Sequence, residues 1–278
     1  MEVSKSGFYS YLKTTKAPIV EPLAQELKEV FWQHRRRYGS RRLHAELQAE
    51  GKRIGRHKVR RLMKEEGLQA LRGKSFVPQT TDSRHSLRMS PNLLGDRQLP
   101  PTKPNEVIVG DITYLPLQDG GFVYLATWED LFSRMIVGWQ IDETMEEQLV
   151  SEALRKVIVK RQPCAGLIVH SDRGGQYASN GLRRLLQSRG YRQSMSRAGE
   201  TYDNAYAESL FSRYKAELLE GGAFANVEEA RLESFDYIEN YYNRVRRHSA
   251  LGYLSPAEYE QKYYVKQQEA LTKNQRKG

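Results

Sequence analysis

The chain has 278 residues, 39% of them hydrophobic, a net charge of +10 and a single cysteine, Cys164. That length allows one large domain with a real core plus one or two small ones, and no apolar run approaches the ~18–20 residues that span a bilayer, so a cytoplasmic protein without a membrane partner is expected. A lone cysteine excludes an intrachain disulfide and a Cys-based zinc cluster. The charge is unevenly spread. Residues 1–100 hold 21 Lys/Arg against 10 Asp/Glu, whereas 101–278 hold 23 against 24. A basic nucleic-acid-binding part joined to a near-neutral catalytic part would give this split, as would a plain solvated basic surface.

In chain order, Leu23, Leu27, Val30 and Phe31 recur at helical spacing within residues 22–38. Ser40 is placed to cap a second helix bearing Leu43 and Leu47 and stopping at Gly51. A third, from about Arg56 to Gly67, turns Val59, Leu62 and Met63 inward. Three short helices with tight turns predict a small all-α helix-turn-helix domain over residues 1–70. His57, Lys58, Arg60, Arg61 and Lys64 fill the faces of the third helix that the apolar stripe leaves over, as contact with DNA requires and as a solvated face would also show. Arg41 and Arg42, at the start of the second helix, join them as candidate DNA contacts. Periodicity fades over residues 71–104, where prolines stand at 78, 91, 100, 101 and 104, so an extended linker or arm is expected.

Apolar runs at 106–115, 121–127 and 135–141, separated by turn signals, predict three neighbouring strands. Thr144 with Glu147 has the pattern of a capping box opening a helix that carries Leu149, Val150, Ala153, Val157 and Ile158. A strand over 167–171, a helix over 180–189 and a strand over 191–195 follow. This order predicts an α/β fold, a mixed five-stranded sheet flanked by helices, within a catalytic unit spanning 105–265. Its last part holds a helix over about 227–242, a basic patch at Arg244, Arg246, Arg247 and His248, and a short helix opened by Ser255-Pro256-Ala257-Glu258. Residues 266–278 read as a polar tail.

Three acids stand out. Asp111 lies inside a strand whose two faces are both largely apolar, where an acid is costly unless it is paired, hydrogen-bonded or bound to metal. Asp172 follows the apolar run 167–169 where a buried strand emerges and precedes Gly174-Gly175, although a turn-forming aspartate would also stand there. Glu208 lies on a helix whose inward stripe is Tyr206, Leu210, Phe211, Tyr214 and Leu218, and 35 residues separate it from Asp172. Lys215, seven residues after Glu208, shares its face within about 20° and could hold a phosphate, while Glu217 points away from Lys215. Two carboxylates on strands and one on a helix are what a pair of hard divalent cations needs, yet a buried ion pair at Asp111, a turn at Asp172 and an exposed helix position at Glu208 would account for them singly.

The surrounding motifs narrow the choice. Gly110-Asp111-Ile112-Thr113-Tyr114, Asp130-Leu131-Phe132-Ser133-Arg134 with Ile136-Val137-Gly138-Trp139, His170-Ser171-Asp172-Arg173-Gly174-Gly175-Gln176-Tyr177, Asp203-Asn204-Ala205 with Glu208-Ser209, and Tyr242-Asn243-Arg244 to Arg247-His248-Ser249 resemble the retroviral-integrase-like core of insertion-sequence transposases of the IS-three family. Tyr38-Gly39-Ser40-Arg41-Arg42-Leu43-His44 resembles that family's helix-turn-helix segment, so the likeness covers nearly the whole chain. Ile108 departs from the Trp often found there, a change of packing.

The resemblance implies an RNase H-like fold and a metal-dependent polynucleotidyl transferase. Asp111, Asp172 and Glu208 match the Asp-Asp-Glu triad that holds two Mg2+ ions, with Mn2+ able to substitute. Such an enzyme nicks the element's ends and joins the 3′-OH to a DNA phosphodiester. Its expected partners are the terminal inverted repeats, the target duplex, further copies of the chain on DNA, and the upstream-frame protein; a nucleoid-associated location follows. The opening Met1-Glu2-Val3-Ser4-Lys5-Ser6-Gly7-Phe8-Tyr9 resembles the interior of a longer fusion product, which leaves a catalytically silent DNA-binding regulator of transposition as the alternative. A nuclease of RNase H type is a third reading, disfavoured because it needs no large basic first third.

Overall fold

The computed structural model describes residues 4–6, 22–72, 87–95, 100–197 and 205–275, with side chains in the last range from Ser209 onward. The chain divides into two compact units, Met1–Leu71 and Arg72–Gly278. In the first, α1 (Pro22–Gln33), α2 (Ser40–Ala49) and α3 (Arg56–Glu65) bury Leu27, Phe31, Leu43, Leu47, Val59 and Leu62. The apolar stripe thus does what its spacing predicts, but two boundaries differ. Helix α1 stops at Gln33 because Arg35 and Arg36 take left-handed φ angles of 49° and 61°, after which Tyr38 stacks on His34 with ring centroids 3.8 Å apart. Ser40 is the first helical residue rather than the cap; Gly39 holds the N-cap position in extended backbone with no side-chain bond.

The second unit is built on a five-stranded sheet of β1 (Val107–Pro116), β2 (Phe122–Asp130), β3 (Ile136–Asp142), β4 (Ile168–Ser171) and β5 (Arg192–Met195). The spatial order is β3-β2-β1-β4-β5. The first three strands form an antiparallel meander, and β4 and β5 continue parallel to β1. This is the mixed sheet expected of an RNase H-like core, and it puts β1 at the centre. Alternation along β1 sends Ile108 and Ile112 to one face, where they meet Val150, Leu154 and Val157 of α4 (Glu147–Arg161). Leu115 faces the other way, against Leu210, Phe211 and Tyr214 of α7 (Ala205–Leu218). Between β4 and β5 run α5 (Gly175–Ala178) and α6 (Asn180–Ser188); α8 (Val227–Phe235) follows α7 and continues as a π-helical stretch, Asp236–Tyr242.

Glycines mark the tightest packing. A Cβ on Gly110 would stand 2.3 Å from the Trp128 ring, and one on Gly138 would stand 2.4 Å from the Ala153 carbonyl of α4. Thr144 does not cap α4, which starts at Glu147 after an extended Glu146; the Glu147 carboxylate lies over Gly181 instead. The opposite holds at α9 (Pro256–Gln275), whose capping box is formed: Ser255 N donates to Glu258 Oε2 at 2.7 Å and Glu258 N to Ser255 Oγ at 3.3 Å. This helix is 20 residues long rather than short, and takes in most of the expected tail. Its second half is mostly Lys, Gln, Glu, Ala and Leu, which favour helix, and its first turns are held by Tyr259 and Tyr263 against Phe132.

Part of the expected linker is packed on the sheet. Pro91 O accepts Met195 N on the outer edge of β5, Ser90 Oγ donates to Gln193 Oε1 at 2.8 Å, and Leu93 and Leu94 lie against Val107 and Ile168. Among the described residues no helix is long and apolar enough to cross a membrane.

Candidate active site

The register of β1 and β4 brings two of the three acids together. Gly110 lies opposite Ser171, the last pair of the two strands, and Asp111 and Asp172 are the residues that follow them; both act on the Tyr177 hydroxyl. Asp111 is inside β1, its Oδ1 accepting Ile112 N at 2.8 Å. Asp172 leaves the end of β4, and its Oδ1 accepts Gly174 N at 2.9 Å, which closes the turn into α5. Asp111 alternates with Ile112 and so shares the side of Leu115, the face that α7 covers. Glu208 lies on the first turn of α7; its side chain, like Asp203 and Asn204 before it and the expected inward side chain of Tyr206, is outside the described residues.

Lys215 of α7 reaches the same place. Its Nζ stands 4.1 Å from the centre of the Tyr114 ring, and burial lowers its pKa to about 8 against the opposing pull of Asp111. Behind the acids, Tyr177 is buried edge-on to Trp128 with ring centroids 5.6 Å apart, and its hydroxyl has no hydrogen-bond partner among the described residues. Burial, then the charges of Asp111 and Asp172, push its pKa well above the ordinary phenol value. The carboxylates of Asp111 and Asp172 are hard oxygen donors of the kind a divalent cation takes.

Residues 101–201 match an integrase core domain, 189–256 a second integrase core model, and 19–76 an HTH-like domain. The chain is 40% identical over 265 residues to an uncharacterized 31 kDa protein of insertion element IS600 from Shigella sonnei, covering 94% of this chain and 96% of that protein. It is 38% identical over 267 residues to the transposase InsF of insertion sequence IS3A from Escherichia coli, covering 94% of this chain and 92% of that one. The magnesium-bound catalytic core of HTLV-2 integrase matches with a TM-score of 0.41 and 14% identity, over 57% of this chain and 98% of that chain. The chain belongs to the IS3 family of transposases. It is therefore a polynucleotidyl transferase with an integrase core.

In this transposase the basic residues separate into two groups. On α3, His57, Arg60, Arg61 and Lys64 are exposed and Lys58 is half-buried, while on α2 Arg41 is exposed and Arg42 half-buried over the Tyr38 ring. The patch after the π-helical stretch is different. Arg246 is fully buried, with Nη2 donating to Glu217 Oε1 at 2.5 Å and Nε to Glu217 Oε2 at 2.7 Å. A guanidinium enclosed in this way cannot meet DNA, so Arg246 leaves the set of candidate contacts. Arg247 is half-buried and donates to Tyr253 O at 2.9 Å, and Arg244 alone of the three is exposed. Glu217 is likewise no surface position: it is buried and also accepts Tyr237 OH at 2.9 Å.

Several residues of the family-like motifs are structural. Asp130 accepts Asn105 N, Phe132 N and Ser133 N, holding the turn from β2 into β3. Ser133 Oγ donates to Glu260 Oε1 at 2.7 Å, and Arg161 grips the same carboxylate through two bonds of 2.7 Å, fastening α9 to the core. Asn243 imitates a neighbouring strand: its side chain accepts Ile136 N and donates to Ile136 O, both at 2.9 Å, on the open edge of β3. Tyr114 and Tyr177 are not marked by spacing; a tyrosine three residues after Asp111 and another five after Asp172 is the sequence signal that could have found them.

Proposed function

We propose that this transposase nicks the ends of its insertion element and joins the freed 3′-OH to a target phosphodiester at a site formed by Asp111, Asp172 and Glu208. What supports this reading is the register of β1 and β4, whose last pair, Gly110 and Ser171, immediately precedes Asp111 and Asp172, with Glu208 on the first turn of α7. The three carboxylates would hold two Mg2+ ions, for which Mn2+ can substitute. Bound ions supply activation of the attacking oxygen and neutralise charge on the leaving 3′ oxygen.

The chain's own residues bind and orient the DNA. Lys215 meets a phosphate next to the scissile bond, since a cation half-buried beside Asp111 is close to the reacting group and poorly hydrated. The basic residues of α2 and α3, exposed at 41, 57, 60, 61 and 64 and half-buried at 42 and 58, hold the terminal inverted repeat and target duplex through the backbone, with Arg244 and Arg247 as further contacts. The DNA-binding part spans 1–70 and the catalytic part begins near 105, a reading supported by the separation of compact units at Leu71. Pairing of two element ends requires more than one copy on DNA, with the upstream-frame protein as a further partner.

Incubation of the protein with a labelled element end, with Mg2+ or with EDTA, tests this. Nicking and joining with Mg2+ alone are expected. Tight binding without cleavage under all metal conditions would favour the silent regulator, and cleavage of any hybrid without joining would favour the nuclease.

A further inference from the structure

The strand that delivers Asp172 carries a second buried polar group two residues earlier. His170 is fully buried, lies between Val109 of β1 and Ser194 of β5, and shares the face of Asp172 because side chains alternate. Both ring nitrogens are engaged: Nδ1 is 2.8 Å from Ser194 Oγ and Nε2 is 3.3 Å from Ser196 Oγ. Each serine is tied elsewhere as well. Ser194 Oγ accepts Leu93 N at 2.9 Å, and Ser196 Oγ donates to Ser171 O at 3.3 Å.

Counting protons gives the chain a direction, because a serine hydroxyl has one to donate. With the Ser196 proton on Ser171 O, His170 Nε2–H is the donor to Ser196. A neutral imidazole then has a bare Nδ1, which accepts from Ser194 O–H, and the Ser194 lone pair receives Leu93 N–H. The bonds run one way, from the Leu93 amide to the carbonyl of Ser171, the residue before Asp172. Ser196 grips the same turn with its backbone: its N donates to Ser171 O at 2.9 Å, and its O accepts Arg173 Nε at 2.9 Å.

We propose that His170, Ser194 and Ser196 are positioning residues that set the Asp172 carboxylate relative to Asp111, and that the segment 87–95 on the edge of β5 completes this brace. The proposal rests on the reading of Asp111 and Asp172 as cation ligands. An apolar side chain of similar volume would pack this layer at less desolvation cost, whereas a chain of satisfied hydrogen bonds restricts how the strand ends can sit. Groups that orient a ligand in this way typically change metal affinity 10–100-fold when removed.

The test is a calorimetric titration of the full chain with Mn2+, comparing the parent with Ser194→Ala, Ser196→Ala and Asp172→Asn. The serine variants each remove one hydroxyl and little volume, which avoids the folding risk of replacing His170. Both are expected to bind Mn2+ about 10-fold or more weakly, with unchanged far-ultraviolet circular dichroism and with nicking restored to the parent rate at saturating Mn2+. A purely structural role would lower the active fraction and leave the Mn2+ affinity alone. Parent-like affinity in both serine variants, while Asp172→Asn binds weakly, overturns the brace. Parent-like affinity in Asp172→Asn overturns the cation reading and the brace with it.

Discussion

Lys215 combines three properties that ordinarily conflict: it is half-buried, it faces an aromatic ring, and it feels the charge of Asp111. If it meets a phosphate, Lys215→Ala weakens binding of the element's end and lowers the slope of log affinity on log salt by about 0.9, while Lys215→Arg keeps most of both. The pH dependence has a definite sign. Burial lowers the pKa to about 8, so the cation is lost as pH rises through that value, and end affinity of the parent should fall between roughly pH 7 and 9. In Lys215→Arg it should stay level across that range, and fluorescence anisotropy against pH reads the difference; level affinity in the parent would remove the phosphate from Lys215. Glu217, two positions on, belongs to the interior. It lies seven residues beyond the buried Leu210, about two helical turns, so the helical wheel carried the signal, but its partner Arg246 is 29 residues away and no local pattern names it. Glu217→Ala leaves that guanidinium buried and unpaired, which should cost on the order of 3–5 kcal/mol and move the urea midpoint down. An unmoved midpoint would mean that Arg246 finds water.

At the scale of elements, alternation and helical period made the strands and helices legible, because each buries a face. What they could not show is which polar residues serve as caps. Thr144-x-x-Glu147 and Ser255-x-x-Glu258 have the same pattern, yet only the second forms, since Glu147 is drawn over Gly181 by the packing of α6 against α4. Helix α9 was foreshortened for a related reason: beyond Val265 it has little apolar periodicity, and helix formers alone sustain it. The close approach of α4 to β3 at Gly138 gives an element-scale prediction. Gly138→Ala must push against the Ala153 carbonyl, and backbone does not yield, so a loss of about 1–3 kcal/mol is expected in thermal unfolding. Gly181→Ala meets only the end of the Glu147 side chain and should cost less. Equal losses would mean that α4 shifts easily on the sheet.

For the molecule as a whole, the charge split between residues 1–100 and the rest suggests a division of labour, and the compact units divide at Leu71. A fragment ending near that point should bind duplex DNA with a steep salt dependence, about 0.9 in slope for each phosphate contact, and the remainder should bind poorly. Equal affinity in the second unit would contradict the division. The candidate site was legible in part: Asp111 because an acid inside a doubly apolar strand is costly, Asp172 because it leaves a strand before two glycines. His170, Arg246 and Asn243 stood in the same motifs, and their roles were not legible, because their partners lie 24 or more residues away and the register alone brings them together.

The most direct test of the account is strand transfer of a labelled element end by Asp111→Asn, Asp172→Asn and Glu208→Gln, with end binding measured beside it. Each change removes a carboxylate charge at nearly constant volume, so binding should stay within a few-fold of the parent while nicking and joining fall below about a hundredth. Transfer above that level by any one of the three would contradict the assignment of the triad.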